Sequence, residues 1–385
     1  MVDYQRFYSR SFQEVERTTR RIHFFKSDFD RSTFEGLLAG GKINEEQTKQ
    51  LGYLGFTVIK PIRNKHKELL IGKTLVRPPY EENQSHRFVK MLHPVSLFGI
   101  DLSIDAVPFQ AQDHIVGACA TTALWTAIAP MSRREGLKEY SPSEITEISN
   151  SLPGQQRIFP NNGLSLPQML TFLRLADSQL DVEVISSPGA TMISTAVKAY
   201  IYGNFPLIAT LGLYPDDSLR PDLHAAVIVG YRSGSEGELE SLFVHDDQLS
   251  PYAATTGGAP SSFETWQNGW NRLRYREIRV RELVIPVYHK VRTSFVPMNR
   301  YFEKYQEKEK AGRSGLRMEL YLTTVQRYKQ ELWAENVRDK TTILSQFLPR
   351  FLWIIRSFSG NERLVDVIFD GTSPVPKRML EVRYT

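Results

Sequence analysis

GACATTALWTAIAPM (117–131) holds the only cysteine of the chain, Cys119, and the rest of the sequence is best read outward from it. After the cysteine, apolar residues fall at Ala120, Ala123, Leu124, Ala127 and Ile128, the spacing of one helical face. Cys119 is therefore expected at a helix start, where amide hydrogens lack intrahelical acceptors and the peptide dipoles leave partial positive charge. That setting favours a thiolate. The small neighbours Gly117, Ala118 and Ala120 leave room for a substrate backbone. Free cysteine is also a good core-packing residue, so the chemistry has to be argued from partners elsewhere in the chain.

Downstream the pattern changes from helices to strands. Ser141-Pro142-Ser143-Glu144 and Ser165-Leu166-Pro167-Gln168 both have the form of a capping box opening a helix. TMISTAVKAYIY (191–202) reads as a further helix, ended by Gly203. The runs PLIATLGL (206–213), HAAVIVGY (224–231), LESLFVH (239–245) and REIRVRELVIPVYHKV (276–291) are β-branched and apolar, as strands require. Helices first and a mostly antiparallel sheet afterwards indicate an α+β fold.

Flanking regions extend this core on both sides. Residues 1–105 form an N-terminal extension in which Ile43 to Leu51 reads as a short helix, and GFTVIKPI (55–62), ELLIGKTLVRP (68–78) and PVSLFGIDLSI (94–104) read as strands. Residues 106–290 form the core. Residues 291–385 form a C-terminal α/β region that opens with a charged helix and holds ELYLTTVQRYKQELW (319–333), FLWIIRSF (351–358) and LVDVIFDG (364–371). It reads equally as a small separate domain or as an extension of the core sheet. A chain of 385 residues is long enough for two or three units at roughly 100–200 residues each.

Thiol catalysis needs an imidazole in hydrogen-bonding reach of the sulfur and a group that sets the imidazole tautomer. One strand begins at His224 and another ends in His245-Asp246-Asp247, so on neighbouring antiparallel strands an imidazole and a carboxylate come side by side. Asp246 alternates with Leu242 and Val244 and should face inward, whereas Asp247 should face away. Attack on a carbonyl also needs donors for the developing oxyanion. The backbone amide of Cys119 is one, and a side-chain amide from Gln110 or Gln112 is the other, with Gln112 preferred.

This order of parts, glutamine, then cysteine at a helix start, then histidine and aspartate on successive strands, resembles the papain-like cysteine proteases. Within them it is closest to the bacterial branch that includes the peptidase domains of bacteriocin-exporting ABC transporters. The similar stretches are GNFPLIATL (203–211), HAAVIVGY (224–231) and LFVHDD (242–247). The resemblance covers about 106–290 and implies a papain-like fold, with Cys119 as nucleophile, His224 as base, Asp246 as orienting acid and Gln112 in the oxyanion hole. The place usual for the family's glutamine falls on Asp113 here, and Ala120 follows the cysteine where Gly or Trp is common. A protein or peptide substrate is implied, and neither metal nor cofactor.

Deamidation and acyl transfer use the same thioester chemistry and remain alternatives, as does a silent papain-like fold kept as a binding scaffold. A metal-dependent hydrolase built on His224, His245, Asp246 and Asp247 is a different class, supported by residue type but by no compact ligand motif. The net charge of +5 is spread over mixed-sign stretches such as RYFEKYQEKEKAGR (300–313), a pattern that speaks for a solvated face and against nucleic acid. That face leaves the C-terminal region open to a protein partner. No stretch is apolar for long enough to span a bilayer, the first residues lack the apolar run of a secretory signal, and a lone cysteine needs no oxidising compartment. The expectation is a cytoplasmic enzyme. No phosphate loop, GxGxxG, CxxC or GxSxG motif occurs.

Overall fold

A computed structural model describes residues 19–40, 51–63, 69–83, 85–111, 118–151, 163–177, 179–215, 220–256, 275–312 and 315–385. The helix expected over 43–51 lies almost wholly outside these residues, as do Gln112, Asp113 and Gly117. The described elements are β1 (Arg20–Phe25), α1 (Arg31–Ala39), β2 (Tyr53–Arg63), β3 (Leu69–Val76), β4 (His86–Phe88), β5 (Leu92–Leu97), β6 (Ile100–Asp105), α2 (Cys119–Glu135), α3 (Pro142–Ser149) and α4 (Leu166–Leu175). They continue with β7 (Leu180–Ser186), α5 (Ala190–Tyr202), β8 (Leu207–Pro215), β9 (Asp222–Ser233), β10 (Leu239–Asp246), β11 (Ser250–Thr256) and β12 (Tyr275–Tyr288). The C-terminal part adds α6 (Phe295–Gly312), β13 (Leu316–Thr324), α7 (Val325–Ala334), α8 (Lys340–Ser345), β14 (Phe351–Ser359), β15 (Glu362–Asp370) and β16 (Arg378–Arg383). Helices and antiparallel sheets together make the fold α+β.

The chain divides into two units, each assembled from separate segments. The first comprises Met1–Glu81, Lys90–Met169 and His245–Tyr252; the second comprises Glu82–Val89, Leu170–Val244 and Ala253–Thr385.

In the first unit, β1, β2 and β3 form a three-stranded sheet whose inner face packs with the β5–β6 hairpin through Tyr53, Phe56, Leu75, Val95, Leu102 and Ile104. The stretch 94–104, which reads as one strand, is in fact the larger part of that hairpin. Phe98 and Gly99 turn the chain with φ of 52° and 87°. Asn-Gly or Asp-Gly is the usual signal for such a turn, and a phenylalanine in the left-handed region gives no warning of it. Helix α2 starts at Cys119 as its periodicity requires and stops at Gly136, whose φ of 67° suits the left-handed C-terminal position. The box that opens α3 is complete, Ser141 accepting from the Glu144 amide and Glu144 accepting from the Ser141 amide. At α4 the Ser165 amide donates to Gln168 Oε1 at 2.8 Å.

A seven-stranded sheet has the order β11-β10-β9-β8-β12-β7, with β4 paired to the later half of β9. Gly230 is required where β4 crosses, because a Cβ there would run into the Phe88 ring and the Arg87 carbonyl. The C-terminal strands form a sheet of their own, β13-β14-β15-β16, antiparallel throughout. Its core includes Tyr202 from the end of α5 beside Tyr321, Tyr328, Leu352 and Ile368. The charged pair buried here is Arg356 and Asp366: the Arg356 guanidinium donates to both carboxylate oxygens of Asp366 at 2.8 Å and to the Tyr202 hydroxyl at 2.7 Å. Among the described residues no helix is long and apolar enough to cross a membrane.

Candidate active site

Cys119 is the first residue of α2, half-buried, following Ala118 at φ −123° and ψ 6°. No side chain caps this helix end and no acidic residue occupies its first turn. The amides at the start of α2 therefore stand beside the thiol with no carboxylate in the helix's own first turn.

His224 and Asp246 owe their places to the β9–β10 hairpin. The Gly234 amide donates to the Glu238 carbonyl at 2.9 Å to close the turn, and Arg232 reaches Glu240 across the pair at 2.8 Å. On its other side β9 pairs with β8, His224 lying opposite Leu211. His224 is 4% exposed and Asp246 fully buried.

One ligand-type atom from each of His224, Asp246 and Asp247 lies within 4.8 Å of the other two. Asp247 thus joins the group, although strand alternation turns it away. The strand ends at Asp246, and residues 247–249 form a turn closed by the Leu249 amide on the Asp246 carbonyl at 3.0 Å, so the period of two does not extend to Asp247. The Gln248 amide also donates to Asp246 Oδ1 at 3.1 Å, holding that carboxylate at the start of the turn.

His245, a candidate ligand by sequence, stands outside the group. Next to Asp246 on the strand, it faces the other way, edge-on to Phe109 with ring centroids 5.6 Å apart and to Tyr252 at 4.5 Å. Burial pulls its pKa down to about 3, and the Pro108 carbonyl offsets little of that. This histidine is a neutral packing group.

Of the sequence-predicted residues, His224 and Asp246 come together, Asp247 is added by the turn, Cys119 takes its expected helix start, and Gln112 lies outside the described residues. Gln110 is described, just after the isolated Thr74–Phe109 bridge, and is half-buried. The chain matches no protein-family model and no curated protein. Its function therefore rests on the chemistry of these side chains.

Proposed function

We propose that the protein is a thiol hydrolase of papain-like type that cleaves a peptide or isopeptide bond through Cys119, His224 and Asp246. The observation that carries this reading is the buried imidazole of His224 held within 4.8 Å of two carboxylates at the open end of the β9–β10 hairpin, in a chain whose one cysteine begins a helix. In the reaction His224 takes the Cys119 Sγ proton and the thiolate attacks the carbonyl carbon of the scissile amide. The backbone amide of Cys119 and the side chain of Gln112 hold the oxyanion. The imidazolium returns its proton to the departing amine, leaving a thioester on Cys119. Water, deprotonated by His224, then releases the acid and the free thiol. Asp246 holds the imidazole tautomer, and Asp247 adds negative charge that favours the imidazolium formed on the way.

The test is alkylation of the native chain by iodoacetamide at pH 6, in wild type and His224→Ala, together with turnover of a peptide-amide library by wild type and Cys119→Ala. Fast labelling of Cys119 that drops by roughly tenfold or more in His224→Ala is expected, with turnover abolished in Cys119→Ala. Labelling that is slow and indifferent to His224 removes the thiol mechanism. A deamidase or acyltransferase would keep both cysteine results and differ in product, ammonia or a transferred acyl group.

A second reading has its own observation. His224, Asp246 and Asp247 are also one imidazole and two carboxylates close enough together to share a divalent cation. In that case activity survives Cys119→Ala and is lost on dialysis against a chelator.

A further inference from the structure

The first unit contains a cavity of about 230 Å³ between the later half of α2 and strands β3 and β5. Cys119 is not among its lining residues. Trp125, Ile128 and Ala129 of α2 line it together with Met91, Pro94 and Tyr140. The size lies between the roughly 150 Å³ that accommodates a benzene and the roughly 300 Å³ at which pockets for drug-sized ligands begin. It suits one ring with one or two small substituents.

Two polar features give this mixed apolar and polar lining direction. His93 lines it and is 7% exposed, and its Nε2 lies 3.1 Å from the Ala106 carbonyl. A carbonyl only accepts, so Nε2 carries the hydrogen and Nδ1 of the neutral ring is an acceptor. No hydrogen bond is made to Nδ1 among the described residues. Burial and the nearby Lys73 charge bring the His93 pKa down to about 4, so the ring stays neutral at physiological pH. His93 thus brings to the lining a neutral ring whose second nitrogen can accept from an N–H or O–H donor.

The second feature is cationic. Lys73 and Arg133 both line the cavity, and the one carboxylate there, Glu139, lies 3.6 Å from Arg133. Lys73 makes no ion pair among the described residues, and burial lowers its pKa, with Glu139 as the main offset. Among the described lining residues, cations outnumber carboxylates by one.

We propose that this cavity binds a small aromatic monoanion bearing a hydroxyl or N–H donor, with its ring among Trp125, Met91 and Pro94, its donor on His93 Nδ1 and its carboxylate at Lys73. The site is independent of the thiol chemistry and stands or falls without it.

Isothermal titration of the full chain with three probes tests this: 4-hydroxybenzoate, benzoate without the donor, and 4-hydroxybenzamide without the charge. The expected result is one site for 4-hydroxybenzoate, with each of the other two weaker by roughly tenfold. Lys73→Gln should erase the preference for acid over amide. Ala129→Phe should fill the cavity and remove binding while the circular-dichroism spectrum is kept; if that variant does not fold, Ala129→Leu and Lys73→Gln decide. Equal affinity for the three probes, affinity unchanged in the cavity-filling variant, or no saturation by about 10 mM would overturn the assignment.

Discussion

Replacing Asp366 by asparagine should be among the most damaging single-atom changes available in this chain. Asp366 is fully buried and accepts four hydrogen bonds: from Arg356 Nε and Nη2 at 2.8 Å each, from the Tyr384 hydroxyl at 2.7 Å and from the Tyr328 hydroxyl at 3.0 Å. The substitution keeps one acceptor oxygen and turns the other into a donor facing the guanidinium fork. Arg356, 1% exposed, is then left with Glu331 at 3.4 Å as its nearest counter-charge. Unit charges about 4 Å apart at an effective dielectric of about 20 interact by about 4 kcal/mol, and breaking a buried pair from one side typically costs about 3–5 kcal/mol. The expected loss is therefore about 3–4 kcal/mol. Urea unfolding followed by tryptophan fluorescence measures it, since Trp353 is fully buried on the same strand as Arg356 and donates to the Thr293 carbonyl at 2.8 Å. The control is a cycle with Arg356→Met. Once the guanidinium is gone, Asp366→Asn relieves a buried negative charge, so its cost should fall to near zero. A cost below about 1 kcal/mol in the wild-type background, or the same cost in both backgrounds, would refute the argument.

Other consequences concern charge and pH. Glu183 accepts from the Tyr200 hydroxyl at 2.5 Å and from the Phe295 amide at the start of α6 at 2.6 Å, and burial pushes its carboxyl above the ordinary value. Its contribution is complete at pH below the usual carboxylate range and is lost as pH rises through the raised value; Glu183→Gln should remove that loss in pH-dependent urea melts, whereas Glu183→Ala, leaving donors without an acceptor, should cost about 1–2 kcal/mol. His245 and His93 act in the opposite direction, because their folded pKa values of about 3 and about 4 lie below the ordinary 6.5. Their contribution is complete above pH 6.5 and lost as pH falls toward those values, with a slope of up to about 1.4 kcal/mol per pH unit for each. The acid limb of the stability curve should be visibly shallower in His245→Phe, and an unchanged limb would place the titration elsewhere. For the cation reading, added Zn²⁺ or Mn²⁺ should raise the thermal midpoint of wild type and leave that of Asp246→Asn/Asp247→Asn unmoved; equal shifts in both proteins would dismiss a site on these residues.

Much of the candidate site is written locally. The cysteine's helix start follows from a one-faced apolar repeat, and the opening of α3 follows from the reciprocal bonding of Ser141 and Glu144, both interactions of residues a few positions apart. The proximity of His224 and Asp246 could be inferred because both sit at strand ends of one hairpin with a short turn. Strand alternation misplaces Asp247 because the strand ends at Asp246 and the period of two does not carry into the turn. Residue type alone makes His245 a candidate ligand, and only its aromatic neighbours Phe109 and Tyr252 show that it packs. Nothing in the sequence pointed to Lys73 and His93, which lie on different strands and meet only across a cavity.

By itself, then, the sequence determined the α+β class, the helix beginning at Cys119, the approximate limits of β2, β3, β8, β9, β10 and β12, and the hairpin that groups His224 with Asp246. These rest on hydrogen bonds and side-chain periods closed within a few residues or across one turn. Tertiary structure alone decided that β7 pairs with β12, that the C-terminal strands form their own sheet around Tyr202 and Arg356, and that two units are each assembled from separate segments. Those outcomes depend on which apolar faces exclude water together and on which buried charges find partners far along the chain. A local pattern carries the first half of such a pairing and is silent about the second.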